Sequence, residues 1–155
     1  MPLNLIRSSA HRNYAAWLWL FSILFALRVL GQALQLWLPQ PYLPPFRAFQ
    51  GSGLPYWLLL SAQLAILAVM ARLAWRAQRG ILQPGPRMGR ILTWAGGIYM
   101  CGSLARIAVG LFVPGAPAWF STWIPAIFHV VLAAFVLTLA VFHRRESAHA
   151  KQEAP

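Results

Sequence analysis

Four long apolar runs constrain the fold more than any other feature of this sequence. They occupy residues 14–38, 54–74, 91–113 and 118–142. Each is about as long as the 20 residues that a helix needs to cross a bilayer. Because backbone polar groups in lipid must be paired within the segment, such runs predict transmembrane helices. The fold class is therefore predicted to be all-α, a single transmembrane domain built as a four-helix bundle, with a charged tail at 143–155.

The positions of the basic residues predict the topology. Only Arg47 lies in the connection between the first two runs, and Arg28 and Arg106 lie inside runs. All the other Lys and Arg residues precede the first run, follow the fourth, or lie at the connection between the second and third. By the positive-inside rule both termini are cytoplasmic. This pattern and the aromatic residues in the opposite loops favour a multi-pass protein of a bacterial inner membrane.

The net charge of +11 has a membrane explanation. In a soluble domain such a charge would suggest nucleic-acid binding. Only 10% of this chain is charged, against about 25% in soluble domains, and the basic residues flank apolar runs. Anionic membrane lipids are therefore the predicted partners, and nucleic acid is not.

The two halves of the chain share a pattern that suggests a duplicated helical hairpin. In each half an intramembrane arginine is followed by prolines and then by a basic end. The local match is short, residues 26–29 against 104–107. A duplication would relate the hairpins by a two-fold axis along the membrane normal. Chance resemblance between leucine-rich helices is the alternative.

The intramembrane arginines are the most unusual residues of the chain. Arg28 and Arg106 lie roughly 16 Å and 12 Å from the ends of their runs. The only acids, Glu146 and Glu153, lie in the tail, so no run supplies a carboxylate. An arginine near the bilayer centre costs about 2.5–3.5 kcal/mol on insertion scales. Its charge is satisfied by polar side chains and carbonyl oxygens, by lipid phosphates, or by an anionic ligand or a partner's acid.

Polar residues of all four runs fall at a similar depth and define a candidate site. Glutamines in such a layer are usually interhelical hydrogen-bond partners, and the stripe of Gly96, Ser103 and Gly110 usually marks close helix packing. The alternative is an anion site shared by the arginines. The predicted ligand-binding residues are Arg28, Arg106, Arg47, Gln32, Gln63, His129 and Tyr99. No catalytic residue and no metal ligand is predicted.

Several chemistries lack the residues that they require. A single cysteine, Cys101, excludes an internal disulfide and a paired-cysteine redox centre. The runs have no carboxylate for proton-coupled export of cations or for a Ser-His-Asp triad. A bis-histidine haem needs two ligands, and only His129 lies at depth. No cofactor is predicted, although haem or quinone contacting His129 and Tyr99 stays an alternative.

The sequence thus predicts a small, non-catalytic membrane protein. Its leading interpretation is an accessory subunit or a binding protein that holds an anionic ligand, a lipid headgroup or an acidic partner group. The alternatives are a redox protein that handles quinone or haem, and a small transporter of an anionic or amphipathic substrate. Other membrane subunits or a second copy of the chain are the expected protein partners.

Overall fold

The computed structural model describes residues 3–50 and 53–152, which form helices and connections without any strand. Four of the helices are long and apolar enough to cross a membrane, which confirms the predicted all-α class and a multi-pass membrane protein. Two one-turn helices lie in the connections. The elements are α1 (Leu3–Trp37), α2 (Phe46–Phe49), α3 (Tyr56–Gln78), α4 (Pro86–Phe112), α5 (Ala118–Ser121) and α6 (Trp123–Gln152).

Proline and glycine set most helix boundaries. Helix α1 ends just before Pro39, and Pro55 precedes the first residue of α3. After α3, Gly80 adopts a left-handed φ of 68°. Its amide donates to the Ala77 carbonyl, and the next amide, of Ile81, donates to the carbonyl of Arg76, which is a Schellman motif. Helix α4 then begins with Pro86, which has no amide hydrogen to leave unpaired.

The long helices extend beyond the apolar runs. Helix α1 begins at Leu3, although the first run begins at residue 14, and α4 begins at Pro86. Helix α6 continues through the predicted tail to Gln152, and within it His143, Glu146 and Ser147 are buried. Residues 143–152 contain neither proline nor glycine. Hydropathy therefore located the part of each helix that suits lipid, whereas the helix itself ends later.

The fourth run is not one continuous helix. It divides at Thr122, whose backbone is extended, into α5 and α6. The cause is Pro125, because a proline ring clashes with the carbonyl four residues earlier and lacks an amide hydrogen. The predicted span 118–142 is thus a one-turn helix followed by a long one.

The long helices pack in the order α3, α1, α6, α4. Helix α1 packs against α3 and α6, and α4 packs against α6. The core lies mainly among α1, α3 and α6, around Leu18, Ala74 and Phe142, each at 0% exposure. Two ends follow from this topology. The hairpin end carries α2 and α5, and the terminal end carries the connection from α3 to α4 and the C-terminal part of α6.

Glycines bring α4 and α6 into close contact. A Cβ atom at Gly96 would lie 2.9 Å from Leu137 Cδ2, and one at Gly89 would lie 2.9 Å from Arg144 Cγ. At Gly110 a Cβ would collide with the carbonyl oxygen of Phe120. The prediction that this stripe marks close helix packing is confirmed.

The packing of the hairpins is not symmetric. The order long helix, one-turn helix, long helix occurs in both halves. A two-fold axis along the membrane normal would pair α4 with α3 as it pairs α1 with α6. Within the described residues α1 packs extensively on α6, whereas α3 and α4 make at most marginal contact. The duplication therefore stays a prediction.

Candidate functional site

A cleft at the hairpin end brings together polar residues from all four long helices. Its volume is about 250 Å³, and α3 and α6 form its two sides, with α1 between them. Most of its lining is apolar, and the polar exceptions are two arginines, a glutamine and a histidine. The lining comprises Phe25, Arg28, Leu54, Leu59, Ala62, Gln63, Ile66, Arg106, Trp119, Pro125, Phe128, His129 and Leu132.

Arg28 is held by a backbone carbonyl. Its side chain is 8% exposed, and Nη2 donates to the carbonyl oxygen of Phe49 over 3.0 Å. Phe49 is the last residue of α2, which packs against α1 and α6. The guanidinium carbon lies 5.9 Å from the centre of the Phe128 ring. The Nε atom is buried and has no hydrogen-bond partner.

Arg106 is held more extensively. At 5% exposure, its Nη2 donates to the Trp119 carbonyl oxygen over 2.7 Å and to Thr122 Oγ1 over 2.9 Å. Its guanidinium carbon lies 3.9 Å from the centre of the Trp119 ring, a cation–π contact. As in Arg28, Nε is buried without a hydrogen-bond partner.

The break at Pro125 explains why Arg106 finds an acceptor. In an unbroken helix the Trp119 carbonyl would accept the amide hydrogen of Trp123. Because the chain leaves the helix at Thr122, that carbonyl is free to accept from Arg106 and from the hydroxyl of Thr122, 3.0 Å away. A proline that interrupts a membrane helix thus creates the acceptor that the intramembrane arginine needs.

Both arginines therefore use the same kind of partner. Each donates to a carbonyl of a one-turn helix that follows a proline, Pro45 before α2 and Pro117 before α5. Carbonyl oxygens at a helix C-terminus have no intrahelical donor and carry a partial negative charge. This is one of the three arrangements that the sequence allowed, and it needs no carboxylate.

Gln32 and Gln63 form a buried pair beside Arg28. Gln63 Nε2 donates to Gln32 Oε1 over 3.3 Å, and the two residues are 4% and 0% exposed, respectively. This leaves Gln32 Nε2 and Gln63 Oε1 buried without hydrogen-bond partners. Turning both amides over would exchange the roles but would still leave one donor and one acceptor unpaired.

His129 is coupled to Tyr99 on α4. The Tyr99 hydroxyl lies 2.5 Å from His129 Nδ1, and the rings meet edge to face with centres 5.7 Å apart. His129 lines the cleft, and Tyr99 contacts it from α4 without lining the cleft. With Tyr99 as the donor to Nδ1, a neutral imidazole carries its proton on Nε2.

Unpaired polar atoms concentrate at this end of the molecule. Among the described residues, buried side-chain atoms without a hydrogen-bond partner are Arg28 Nε, Gln32 Nε2, Tyr56 Oη, Gln63 Oε1 and Arg106 Nε. Three of these are donors, one is an acceptor, and the tyrosine hydroxyl is both. Each such atom typically costs about 1–3 kcal/mol. The excess of donors is suited to a ligand that carries acceptor oxygens.

The predicted site residues divide into three groups. Arg28, Arg106, Gln63 and His129 line the cleft. Gln32 and Tyr99 each contact one of these residues. Arg47 is exposed on α2 and does not line the cleft, because the buried side of that single turn is occupied by Phe49.

Sequence reasoning missed the partners of the arginines. The acceptors are the backbone carbonyls of Phe49 and Trp119 and the hydroxyl of Thr122. Phe49 lies in a segment that was predicted to be a loop, and the other two lie in a segment that was predicted to be a continuous helix. The available signal was Pro125, which indicates a break in the helix before it and therefore free carbonyls on the N-terminal side of that break. Tyr56, which also has an unpaired buried hydroxyl, begins α3 directly after Pro55.

No group of three or more His, Cys, Asp or Glu side chains comes together within residues 3–50 and 53–152. Comparisons of the chain with protein-family models, curated proteins and solved structures found no match. The chemistry of the cleft therefore rests on its own residues.

Proposed function

We propose that this is a non-catalytic membrane protein that binds the anionic group of an amphipathic molecule in the cleft. The observation that carries the proposal is the pair of buried arginines, each with an unpaired Nε, in a cleft with no carboxylate. Arginine keeps its charge, so two guanidinium groups in a cleft of low polarity favour an anion strongly. Carboxylate and phosphate oxygens also match the donors that are left free.

The apolar lining favours an amphipathic anion over a small inorganic one. Phe25, Leu59, Ile66 and Leu132 border the same cleft as the arginines. A volume of about 250 Å³ is at the small end for a ligand pocket, and suits a headgroup with its first carbons. Since α3 and α6 do not close on each other, the rest of an apolar chain would lie between them.

Anchoring the arginines prepares the site for binding. Nη2 of Arg28 and of Arg106 is fixed by a carbonyl, so neither side chain must lose much freedom when a ligand arrives. Gln63 Oε1 would accept a hydrogen bond from a ligand hydroxyl, and His129 would donate from Nε2. The cleft would thus recognise an anion that carries a neighbouring hydroxyl.

The positive-inside pattern supports an orientation in which the hairpin end faces the outer side of the membrane, which we propose to be a bacterial inner membrane. A ligand would then enter from the outer leaflet. An accessory-subunit role uses the same chemistry, with a partner's carboxylate in place of the lipid group.

Native mass spectrometry of the protein released gently from its own membrane tests the proposal. Wild type should carry an adduct of defined mass, and Arg28→Gln and Arg106→Gln should lose it. Arg47→Gln removes the same charge from an exposed position of the same end and should keep it. The proposal fails if the adduct survives in both cleft variants while they remain folded by circular dichroism, or if wild type carries only bulk lipids.

The Tyr99–His129 pair supports quinone as a second candidate ligand. His129 would donate to a quinone carbonyl from Nε2, with its tautomer fixed by Tyr99. Solvent extraction of purified protein followed by ultraviolet absorption distinguishes the two. A stoichiometric quinone, lost in His129→Ala and retained in Arg106→Gln, would favour this candidate over the anion.

A further inference from the structure

A second cavity lies at the terminal end, between α4 and α6. Its volume is about 530 Å³, and it shares no residue with the cleft. Two exposed arginines, Arg90 and Arg144, face it from the two helices. The lining comprises Pro86, Arg90, Thr93, Trp94, Arg144, Ser147 and Ala148.

A smaller apolar cavity continues this one towards the middle of the bundle. Its volume is about 310 Å³, and Thr93 and Arg144 line both cavities. Leu137, Ala140 and Val141 form its floor on α6. The residues from Leu137 to Arg144 span roughly 10 Å along the helix. The two cavities together form one groove, which is basic near the terminal end of the molecule and apolar towards the middle of the bundle.

Close packing fixes the shape of the groove. Gly89 lets α4 approach α6 so closely that a Cβ atom would lie 2.9 Å from Arg144 Cγ. The Gly85 amide donates to His143 Nδ1 over 3.1 Å, which ties the start of α4 to the same part of α6. The Thr93 hydroxyl donates to the Gly89 carbonyl and is therefore already engaged within its helix.

We propose that this groove is a binding site for an anionic phospholipid. The phosphate would lie between Arg90 and Arg144, since each guanidinium group can donate two parallel hydrogen bonds to phosphate oxygens. One acyl chain would cover Leu137 and Val141. Trp94, 70% exposed at the edge of the groove, would lie at the headgroup level, where tryptophan is enriched.

Charge complementarity is what identifies the occupant. The chain has 13 Lys and Arg against two acids, one of which, Glu146, is buried and already engaged in an interaction. Carboxylates of the chain are therefore too few to neutralise the arginines of this end. An anionic headgroup supplies that charge, and its acyl chain suits the adjoining apolar floor, which a free phosphate would leave uncovered.

Quenching of tryptophan fluorescence by brominated lipid tests the site. The full-length protein is reconstituted in phosphatidylcholine vesicles that contain either brominated phosphatidylglycerol or brominated phosphatidylcholine at equal mole fraction. The contribution of Trp94, one of 8 tryptophans, is the difference between wild type and Trp94→Phe. Brominated phosphatidylglycerol should quench Trp94 in marked excess over brominated phosphatidylcholine.

Removal of both arginines should abolish that excess. In Arg90→Gln/Arg144→Gln the relative affinity of the groove for phosphatidylglycerol should fall more than roughly 10-fold, since each arginine loses its charge-assisted hydrogen bonds to the phosphate. The single variants should fall to intermediate values, and they serve as the test if the double variant does not fold.

A matched control separates a built site from general attraction to the surface. Arg79→Gln/Arg87→Gln removes the same charge from the same end, and neither residue lines the groove. The control should keep the excess quenching. An equal loss in the control, or equal quenching by the two lipids in wild type, would overturn the proposal. Inorganic phosphate should not displace the lipid, and displacement would assign the site to free phosphate instead.

Discussion

The two hairpins of this protein are stabilised in different ways. In the second hairpin, α4 approaches α6 closely at Gly89 and Gly96 and approaches α5 at Gly110, and Arg106 makes two hydrogen bonds and a cation–π contact. In the first, α1 and α3 share the apolar core and are also joined by polar side chains, Gln32 with Gln63 and Trp19 with Gln78, and Arg28 makes a single hydrogen bond. In lipid the hydrophobic effect contributes little to helix association, so helices are held together mainly by close packing and interhelical hydrogen bonds.

The difference implies that steric changes damage the second hairpin most. Gly110→Ala should have the largest effect, because a Cβ there collides with the Phe120 backbone carbonyl and must displace α5. We expect a loss of about 2–3 kcal/mol in the free energy of unfolding, measured by reversible unfolding in detergent micelles. Gly102→Ala on the same helix meets no atom within 4 Å and should change stability little. Equal losses in the two variants would contradict the close packing of α4 on α5.

Restoring the broken helix should have the next largest effect. In Pro125→Ala the helix can continue through Thr122, so the amide of Trp123 can donate to the Trp119 carbonyl. That amide then competes with Arg106 for the same acceptor. We expect slower hydrogen exchange at the Trp123 amide and a stability loss of about 1–2 kcal/mol, because a buried charge loses an acceptor. Pro44→Ala, in the connection before α2, is the control and should leave exchange at Trp123 unchanged. Unchanged exchange in Pro125→Ala would show that the break has another cause.

The two arginines sharpen the comparison further. Arg106→Gln should lower the thermal stability of detergent-purified protein more than Arg28→Gln. Arg106 loses two hydrogen bonds and a ring contact at 3.9 Å, whereas Arg28 loses one hydrogen bond and a longer ring contact of 5.9 Å. Both variants recover the cost of burying a charge, about 2.5–3.5 kcal/mol. For Arg28 this gain should nearly cancel the lost hydrogen bond, so its melting temperature should change little. A larger loss for Arg28 than for Arg106 would reverse the proposed ranking of the hairpins.

The sequence predicted the four membrane helices because apolar length is decisive in lipid. It also predicted that Arg28, Gln63, Arg106 and His129 share one level, because helical rise converts residue number into depth. The N-terminal end of α1 and the C-terminal end of α6 could not be predicted from hydropathy. In α6, buried polar residues such as Glu146 continue the helix beyond its apolar part.

The arginines' partners were beyond reach for a different reason. A carbonyl oxygen has no signature in the sequence, and any residue could stand at Phe49 or Trp119 without changing the hydrogen bond. Only the prolines indicate where carbonyls become free. Arg47 is a different case, because its position in the loop suggested a shared site, whereas in the structure it is exposed on α2 and does not line the cleft.

The smallest predicted effect concerns the first hairpin. Gln32→Leu should leave Gln63 buried with no partner and cost about 1 kcal/mol, and Gln63→Leu should do the same. The double variant should lose about 1.4 kcal/mol, which is less than the sum of the single losses, because neither polar group is left without its partner. The double-mutant cycle should then give a coupling near 0.6 kcal/mol, the usual value for such pairs in membranes. Additive losses would mean that the two glutamines act separately, each satisfied by something other than its neighbour, and the first hairpin would then depend on packing as the second does.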